Sequence, residues 1–349
     1  MKALVYHGPD SLDWEEVPDP SIQDASDVII KVETTTICGS DLHILKGDLP
    51  TVTDGRILGH EAVGTVVEVG AGVAKFRIGQ RVVVSSITTC GTCSYCRVGF
   101  PSHCQSVGGT GWLLGHLVDG TQAELARIPF GETSLHSIPT GLSDEEVIFI
   151  SDIVPTGYEM GVLAGRVRPG DDVVVIGAGP VGLSAMVTAQ FMGPRSIIAV
   201  DRDPFRLDAA CTNFGATHAI DSSQPDWMDQ VRTLCRHGGA DVIMEAVGLP
   251  GTLEAAFDLV RPTGRIANIG IHGRPVVLPI DRLWIQNITL TTGLVNGTSA
   301  PTLIDLIDAG KLNVQHLATH HFRLDDMLQA YDVFANAASN HALKVVLSA

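Results

Sequence analysis

The sequence predicts an α/β protein in which a doubly wound parallel sheet follows a β-rich domain. Three observations lead there. From residue 172 onward, short apolar runs alternate with amphipathic stretches, as in parallel strands covered by helices on both faces. The first third is instead a succession of valine- and isoleucine-rich runs separated by glycine and proline. A glycine-rich turn, 177–182, lies where the first of the later strands meets its helix. At 349 residues the chain is long enough for two domains of about 100–200 residues each.

Taken in order, strands are expected at 2–6, 28–33, 63–69 and 81–85, each ended by turn residues. The pattern changes near Asp152. Strands then follow at 173–176, 197–200, 242–246, 265–269 and 288–291, with helices at 183–192, 204–214, 227–235 and 252–260 between them. Helices at 301–309 and 325–334 precede a last strand, 342–347, which can return to the first domain.

The formal net charge of −16 disfavours nucleic acid and anionic membrane surfaces as partners. No apolar run is long enough for a membrane span, and the first residues lack the apolar core of a secretion signal. The seven cysteines are an odd number and four are crowded together, which is a poor disulfide framework and a good metal site. A reducing cytoplasm is the expected location. Cys211 and Cys235 fall on helix candidates and are read as packing residues.

Gly177-Ala178-Gly179-Pro180-Val181-Gly182 is a G-x-G-x-x-G turn between strand and helix. Its glycines allow backbone amides to approach a pyrophosphate at the helix N-terminus, the fingerprint of a Rossmann domain. Asp201 ends the next strand, where a carboxylate can accept from ribose hydroxyls. Asp201 favours NAD by repelling a 2′-phosphate. Arg202 can attract one, but Asp201 carries more weight.

Cys90-x2-Cys93-x2-Cys96-x7-Cys104 can close a tetrahedral shell around Zn²⁺ with no position open, a structural site. An iron–sulfur centre is the alternative. His103 is read as a surface residue. Cys38, His60, Glu61 and Asp152 are scattered, and spacing alone does not join them. Individually they read as a small buried hydrophobe, a hydrogen-bonded histidine with its neighbour, and a helix N-cap.

A resemblance joins them. Gly59-His60-Glu61-Ala62-Val63-Gly64 through Gly79-Gln80-Arg81-Val82, the Cys38-Gly39-Ser40-Asp41-Leu42-His43 segment and the four-cysteine loop resemble the zinc alcohol dehydrogenases of the medium-chain dehydrogenase/reductase superfamily. The resemblance covers essentially the whole chain. It implies a GroES-like catalytic domain from 1–152 and 293–349, a structural-zinc lobe at 88–106, and a Rossmann domain at 153–292 inserted between them. It implies two zinc ions per chain. The catalytic one would be held by Cys38, His60 and Asp152, with Glu61 near it. Ser40 and His43 match the family's proton relay, although Ser40 could also cap the following helix. Arg206 matches a residue touching the adenosine ribose, and Lys344 is expected near the pyrophosphate. Ser40, Trp112 and Leu294 are the expected substrate-pocket residues.

Liver-type members have a cysteine where this chain has Asp152. The aspartate and Trp112 resemble bacterial and archaeal secondary alcohol dehydrogenases, while the cysteine loop and Asp201 point to an NAD-dependent relative. The implied activity is hydride transfer between NAD and a primary or secondary alcohol, giving aldehydes or ketones, in a homo-oligomer, with a tetramer favoured over a dimer. The alternatives are a polyol dehydrogenase, a formaldehyde dehydrogenase or dismutase-like enzyme, and a non-catalytic nucleotide-binding protein.

Overall fold

A computed structural model describes all residues, 1–349. They form two compact units, one of Met1–Asp152 with Asn296–Ala349 and one of Ile153–Val295. No helix is long and apolar enough to cross a membrane.

The first unit is built on a seven-stranded sheet ordered Ala318–Arg323, Lys344–Ser348, Val28–Thr36, Ala62–Val69, Arg81–Val84 and Leu135–Ser137, with Leu125–Ile128 also paired to Val28–Thr36. Alternation along Val28–Thr36 sends Val28, Ile30 and Val32 into one cluster with Val66, Val82 and Ile128. The last strand is held antiparallel to it through Val346↔Thr36 and Leu347↔Thr35. Val345 and Leu347 pack into a second cluster with Leu4, Ile37 and Leu58, closed by Met327 and Tyr331 of helix Met327–Ala335. The sheet therefore needs both ends of the chain. Leu12–Glu16, Lys2–Tyr6 and Arg56–Ile57 form a separate three-stranded sheet.

The second unit is a six-stranded, wholly parallel sheet. Its order is His218–Asp221, Ser196–Asp201, Asp172–Ile176, Ala240–Glu245, Val260–Asn268 and Thr289–Thr292. The chain thus starts at Asp172–Ile176, winds one way, then reverses. That reversal opens a crevice at the carboxyl ends of the strands, where such sheets bind ligands. Asp172–Ile176 and Ala240–Glu245 are buried throughout, as strands covered on both faces must be.

Several elements escape the sequence reading, among them strands Leu12–Glu16, Leu125–Ile128, Leu135–Ser137 and Ala318–Arg323. His218–Asp221 is an edge strand whose His218 and Ala219 are exposed, so it carries no apolar run. Gly157–Leu163 is a π-helix, a winding with no signature of its own. Of the two cysteines read as packing residues, Cys235 is buried, but Cys211 lies on the exposed side of helix Pro204–Asn213.

Leu347 is fully buried. Leu347→Ala is expected to cost about 2–5 kcal/mol of stability in denaturant unfolding. A cost below roughly 1 kcal/mol, the level of an exposed substitution, would contradict closure of the sheet by the C-terminal strand.

Candidate functional site

Cys38 stands between strand Val28–Thr36 and the short helix Gly39–Leu45. His60 and Glu61 immediately precede strand Ala62–Val69, and Asp152 follows the 3-10 turn Ile148–Ser151. The first unit brings their donor atoms together, all within 4.8 Å of one another. Asp152 Oδ2 is 3.7 Å from Cys38 Sγ and 3.5 Å from His60 Nε2. Zinc bonds of about 2.3 Å to sulfur and about 2.0–2.2 Å to nitrogen and oxygen give tetrahedral edges of roughly 3.3–3.7 Å. The three donors therefore fit one zinc ion.

The electrostatics also ask for a cation. Burial works against the Asp152 carboxylate, yet His60 and the Ser86 hydroxyl hold it down to about 2. Burial likewise opposes charge on His60, but Asp152, Cys38 and Asp41 push its imidazole well above the ordinary value. Asp41 is buried behind it, its Oδ1 3.7 Å from His60 Nδ1, so the ring's two nitrogens face opposite acids. Nε2 is the ring nitrogen turned toward Asp152. Burial pushes the Asp41 carboxyl up, against His60 and the Cys38 N–H.

Eleven buried side-chain polar atoms lack a hydrogen-bond partner, and five of them belong to Ser40, Asp41, His60, Glu61 and Trp112. Such a concentration marks a binding site rather than a packing defect.

Ser40 is the second residue of its helix, so it does not cap it. Cys38 occupies the cap position, and Asp41 Oδ2 accepts from the Cys38 N–H at 2.8 Å. His43 is partly exposed, with Nδ1 2.8 Å from Asp48 Oδ2. Lys344, expected near a pyrophosphate, is placed by the structure against Glu61. Its ammonium is buried in the first unit, donating to Glu61 Oε2 at 2.5 Å and to the Ile37 carbonyl at 2.8 Å. Burial pushes the Glu61 carboxyl up, and Lys344 pulls it back.

Trp112 stands edge-on to His60, with ring centroids 6.0 Å apart. His116 lies behind it at 4.7 Å, its Nδ1 3.0 Å from the Trp112 carbonyl and its Nε2 2.6 Å from Thr51 Oγ1. Leu294 is half-buried in the second unit. Sequence reasoning assigned no role to Asp41, Ser86, Thr51 or His116. Asp41 falls within the quoted motif three residues after Cys38, whereas Ser86 had no signal at all.

The four cysteines of 90–104 also cluster. Helix Ser94–Arg97 sets Cys93 and Cys96 one turn apart, and Cys93 Sγ lies 3.4 Å from Cys96 Sγ and 4.0 Å from Cys104 Sγ. Tetrahedral edges around one zinc are about 3.8 Å. Thiolates that each bound a separate iron of a cluster would stand farther apart, so the geometry favours a single ion. Burial opposes the Cys90 thiolate, but donors from Ser106, Thr92 and Cys93 bring it down to about 5, while burial raises Cys96 to about 11. His103 is exposed outside the cluster.

In the second unit, Gly177 takes φ +100°, and a Cβ on Gly182 would lie 1.9 Å from the Gly177 carbonyl oxygen. Both positions therefore require glycine. Pro180 and Val181 begin helix Pro180–Ala189, whose N-terminus follows the loop. Asp201 Oδ2 accepts from Ala178 N–H at 2.7 Å, and Oδ1 accepts from the N–H groups of Arg202 and Asp203. The acid is thus aimed by the loop it serves. The Arg206 guanidinium stands beside Gly179, and its Nε is 3.7 Å from Asp203. Arg202 is exposed.

The sequence matches two family models, "Alcohol dehydrogenase GroES-like domain" over 24–140 and "Zinc-binding dehydrogenase" over 180–309. It is similar to an alcohol dehydrogenase of Cupriavidus necator, 34% identical, with 96% of this chain and 95% of that protein covered. Among solved structures it is similar to zinc-dependent alcohol dehydrogenase 2 from Streptococcus pneumonia, with a TM-score of 0.94, 43% identity, and 100% and 98% of the two chains covered. A second is the alcohol dehydrogenase TADH from Thermus sp. ATN1, with a TM-score of 0.92, 36% identity, and 100% and 99% covered.

Gly182→Ala is expected to weaken dinucleotide binding at least about tenfold, since the displaced loop costs more than ~1.4 kcal/mol. NADH fluorescence titration checks it. Unchanged binding would mean that the cofactor phosphates do not rest on this loop.

Proposed function

The chain belongs to the zinc-dependent alcohol dehydrogenases of the medium-chain dehydrogenase/reductase superfamily, and on that premise we propose that it interconverts small primary or secondary alcohols and their aldehydes or ketones with NAD. It is an oxidoreductase with a Rossmann-type sheet and a GroES-like domain. Cys38, His60 and Asp152 hold a catalytic zinc, and Cys90, Cys93, Cys96 and Cys104 a structural one. The observation that carries this reading is the convergence of three zinc-type donors amid five unpartnered polar atoms.

Bound zinc supplies Lewis acidity, lowering the pKa of an alcohol hydroxyl toward neutrality. Bound NAD supplies the hydride acceptor. The chain's own residues do the rest. The Ser40 hydroxyl, buried and without a partner, takes the hydroxylic proton. His43, partly exposed and oriented by Asp48, passes it to solvent. Asp41 places its negative charge 3.7 Å behind His60 Nδ1, on the side of the ring away from Asp152. The Glu61 carboxylate, balanced by Lys344, adds negative charge beside the cation. Trp112, backed by His116, forms an apolar wall near His60.

Asp201, locked by backbone donors, supports NAD over NADP. Arg206 and Arg202 supply positive charge for the rest of the cofactor. The protein acts as a cytoplasmic homotetramer. Supporting self-association, Val277, Ile280, Trp284 and Ile285 are exposed in the segment leading to the edge strand Thr289–Thr292. Trp284, 71% exposed, is the test residue: Trp284→Glu should shift the mass in light scattering to a smaller species. An unchanged mass would remove this surface from the assembly.

Activity is tested by initial NADH formation from ethanol, longer primary alcohols, 2-propanol, 2-butanol and sorbitol, each with NAD and NADP. Simple alcohols with NAD are the expected substrates. Asp152→Ala should lower kcat/KM at least about a thousandfold, the several kcal/mol that a Lewis acid contributes. Normal turnover in that variant would refute the ligand assignment.

A further inference from the structure

Asp152 offers two carboxylate oxygens, and only Oδ2 has been placed against Cys38 and His60. A free carboxylate beside a divalent cation can swing to chelate through both oxygens, which would occupy the direction a substrate oxygen requires. The structure holds it. Ser86, 4% exposed and just beyond strand Arg81–Val84, donates its hydroxyl to Asp152 Oδ1 at 2.9 Å. Its backbone N–H donates to the Ser151 carbonyl at 2.8 Å, so it grips two successive residues of the ligand turn.

The serine is itself fixed on both sides. The Ser85 N–H donates to the Ser134 carbonyl at 2.9 Å, and the Thr88 N–H to the Gly111 carbonyl at 2.8 Å. Two residues after Thr88 the same segment reaches Cys90 of the cysteine cluster. We propose that Ser86 is the positioning residue of the third metal ligand. Its hydroxyl anchors Oδ1 so that Asp152 binds through Oδ2 alone and the fourth coordination direction stays open to the alcohol. This inference rests on the reading that Cys38, His60 and Asp152 hold zinc. It adds to that reading the residue that sets how the aspartate binds.

The test is a double-mutant cycle read by metal binding rather than by turnover. Zinc release to a chromophoric chelator is followed in the wild type, Ser86→Ala, Asp152→Cys and the double variant. Cobalt(II) replacement reports the geometry of the Cys-His-Asp site separately from the four-cysteine site, whose thiolate bands differ. Ser86→Ala is expected to weaken zinc at the first site about 10–100-fold, as outer-shell losses do, and to alter its cobalt spectrum while leaving the four-cysteine bands unchanged. In the Asp152→Cys background the ligand has no second oxygen to anchor, so removing Ser86 should change affinity by less than about twofold. Ser86→Thr, which keeps the hydroxyl, should retain the wild-type cobalt spectrum.

Equal losses from Ser86→Ala in both backgrounds, or an unchanged spectrum in Ser86→Ala, would overturn the positioning role alone. A wild-type protein that takes up metal only at the four cysteines would overturn the metal-site reading and the proposal with it.

Discussion

The first unit is organised by one electrostatic constraint: buried acids gathered around one imidazole must be balanced. Asp41, Glu61 and Asp152 crowd with the Cys38 thiol about His60, and Lys344 is the single lysine buried with them. Taking an ion out of water costs several kcal/mol even after relaxation, so such a cluster persists only with compensating charge and hydrogen bonds. Lys344, even with a charged His60 ring, does not balance three carboxylates and the Cys38 thiol. A divalent cation held by Cys38, His60 and Asp152 supplies what is missing, which is why the donor chemistry and the charge balance point to the same ion. The same constraint explains the discontinuous unit. Lys344 can reach Glu61 only if the C-terminal strand lies against Val28–Thr36.

The cysteine lobe solves a different problem. Its apolar cluster consists of Cys104, Val107 and Leu113, with Cys90, Cys93, Cys96, Val118 and Phe130 packed around it. Half of that cluster is the cysteines themselves, so the lobe has too little hydrocarbon to hold its shape by burial. A structural metal substitutes for the missing core. The lobe is joined to the ligand pocket by the segment from Ser86 to Cys90, and Trp112 follows it closely in sequence. A site that stiffens the lobe therefore also steadies two residues of the pocket.

The second unit buries charge at the ends of its strands, as at Asp172 and Glu245, while the middle of its sheet is apolar. Its sheet is driven by apolar strands covered on both faces, and its function rests on a backbone feature. Gly177 turns where other residues are strained, and Gly182 lets the helix approach the loop more closely than any side chain would permit. Asp201 completes the feature by accepting from Ala178 within the loop, so a single carboxylate both shapes the turn and faces the space beside it.

The sequence by itself determined what depends on neighbours along the chain. Strand and helix periodicity, the glycine loop with Asp201, and the four-cysteine spacing are all local patterns, legible because 2.0- and 3.6-residue repeats and short ligand spacings survive without a fold. Resemblance then joined Cys38, His60 and Asp152, which no spacing could. Only the tertiary structure decided the rest. It brought those three donors within bonding reach, paired Lys344 with Glu61, and gave the cap position of the Gly39–Leu45 helix to Cys38, with Asp41 accepting from its N–H, rather than to Ser40. It also picked out Ser86 from the chain's many serines. The physical reason is that a buried polar group takes its role from the partners the fold brings to it, from three residues away for Asp41 to 283 for Lys344, and from the rotamer that reaches them, none of which its own sequence neighbourhood specifies.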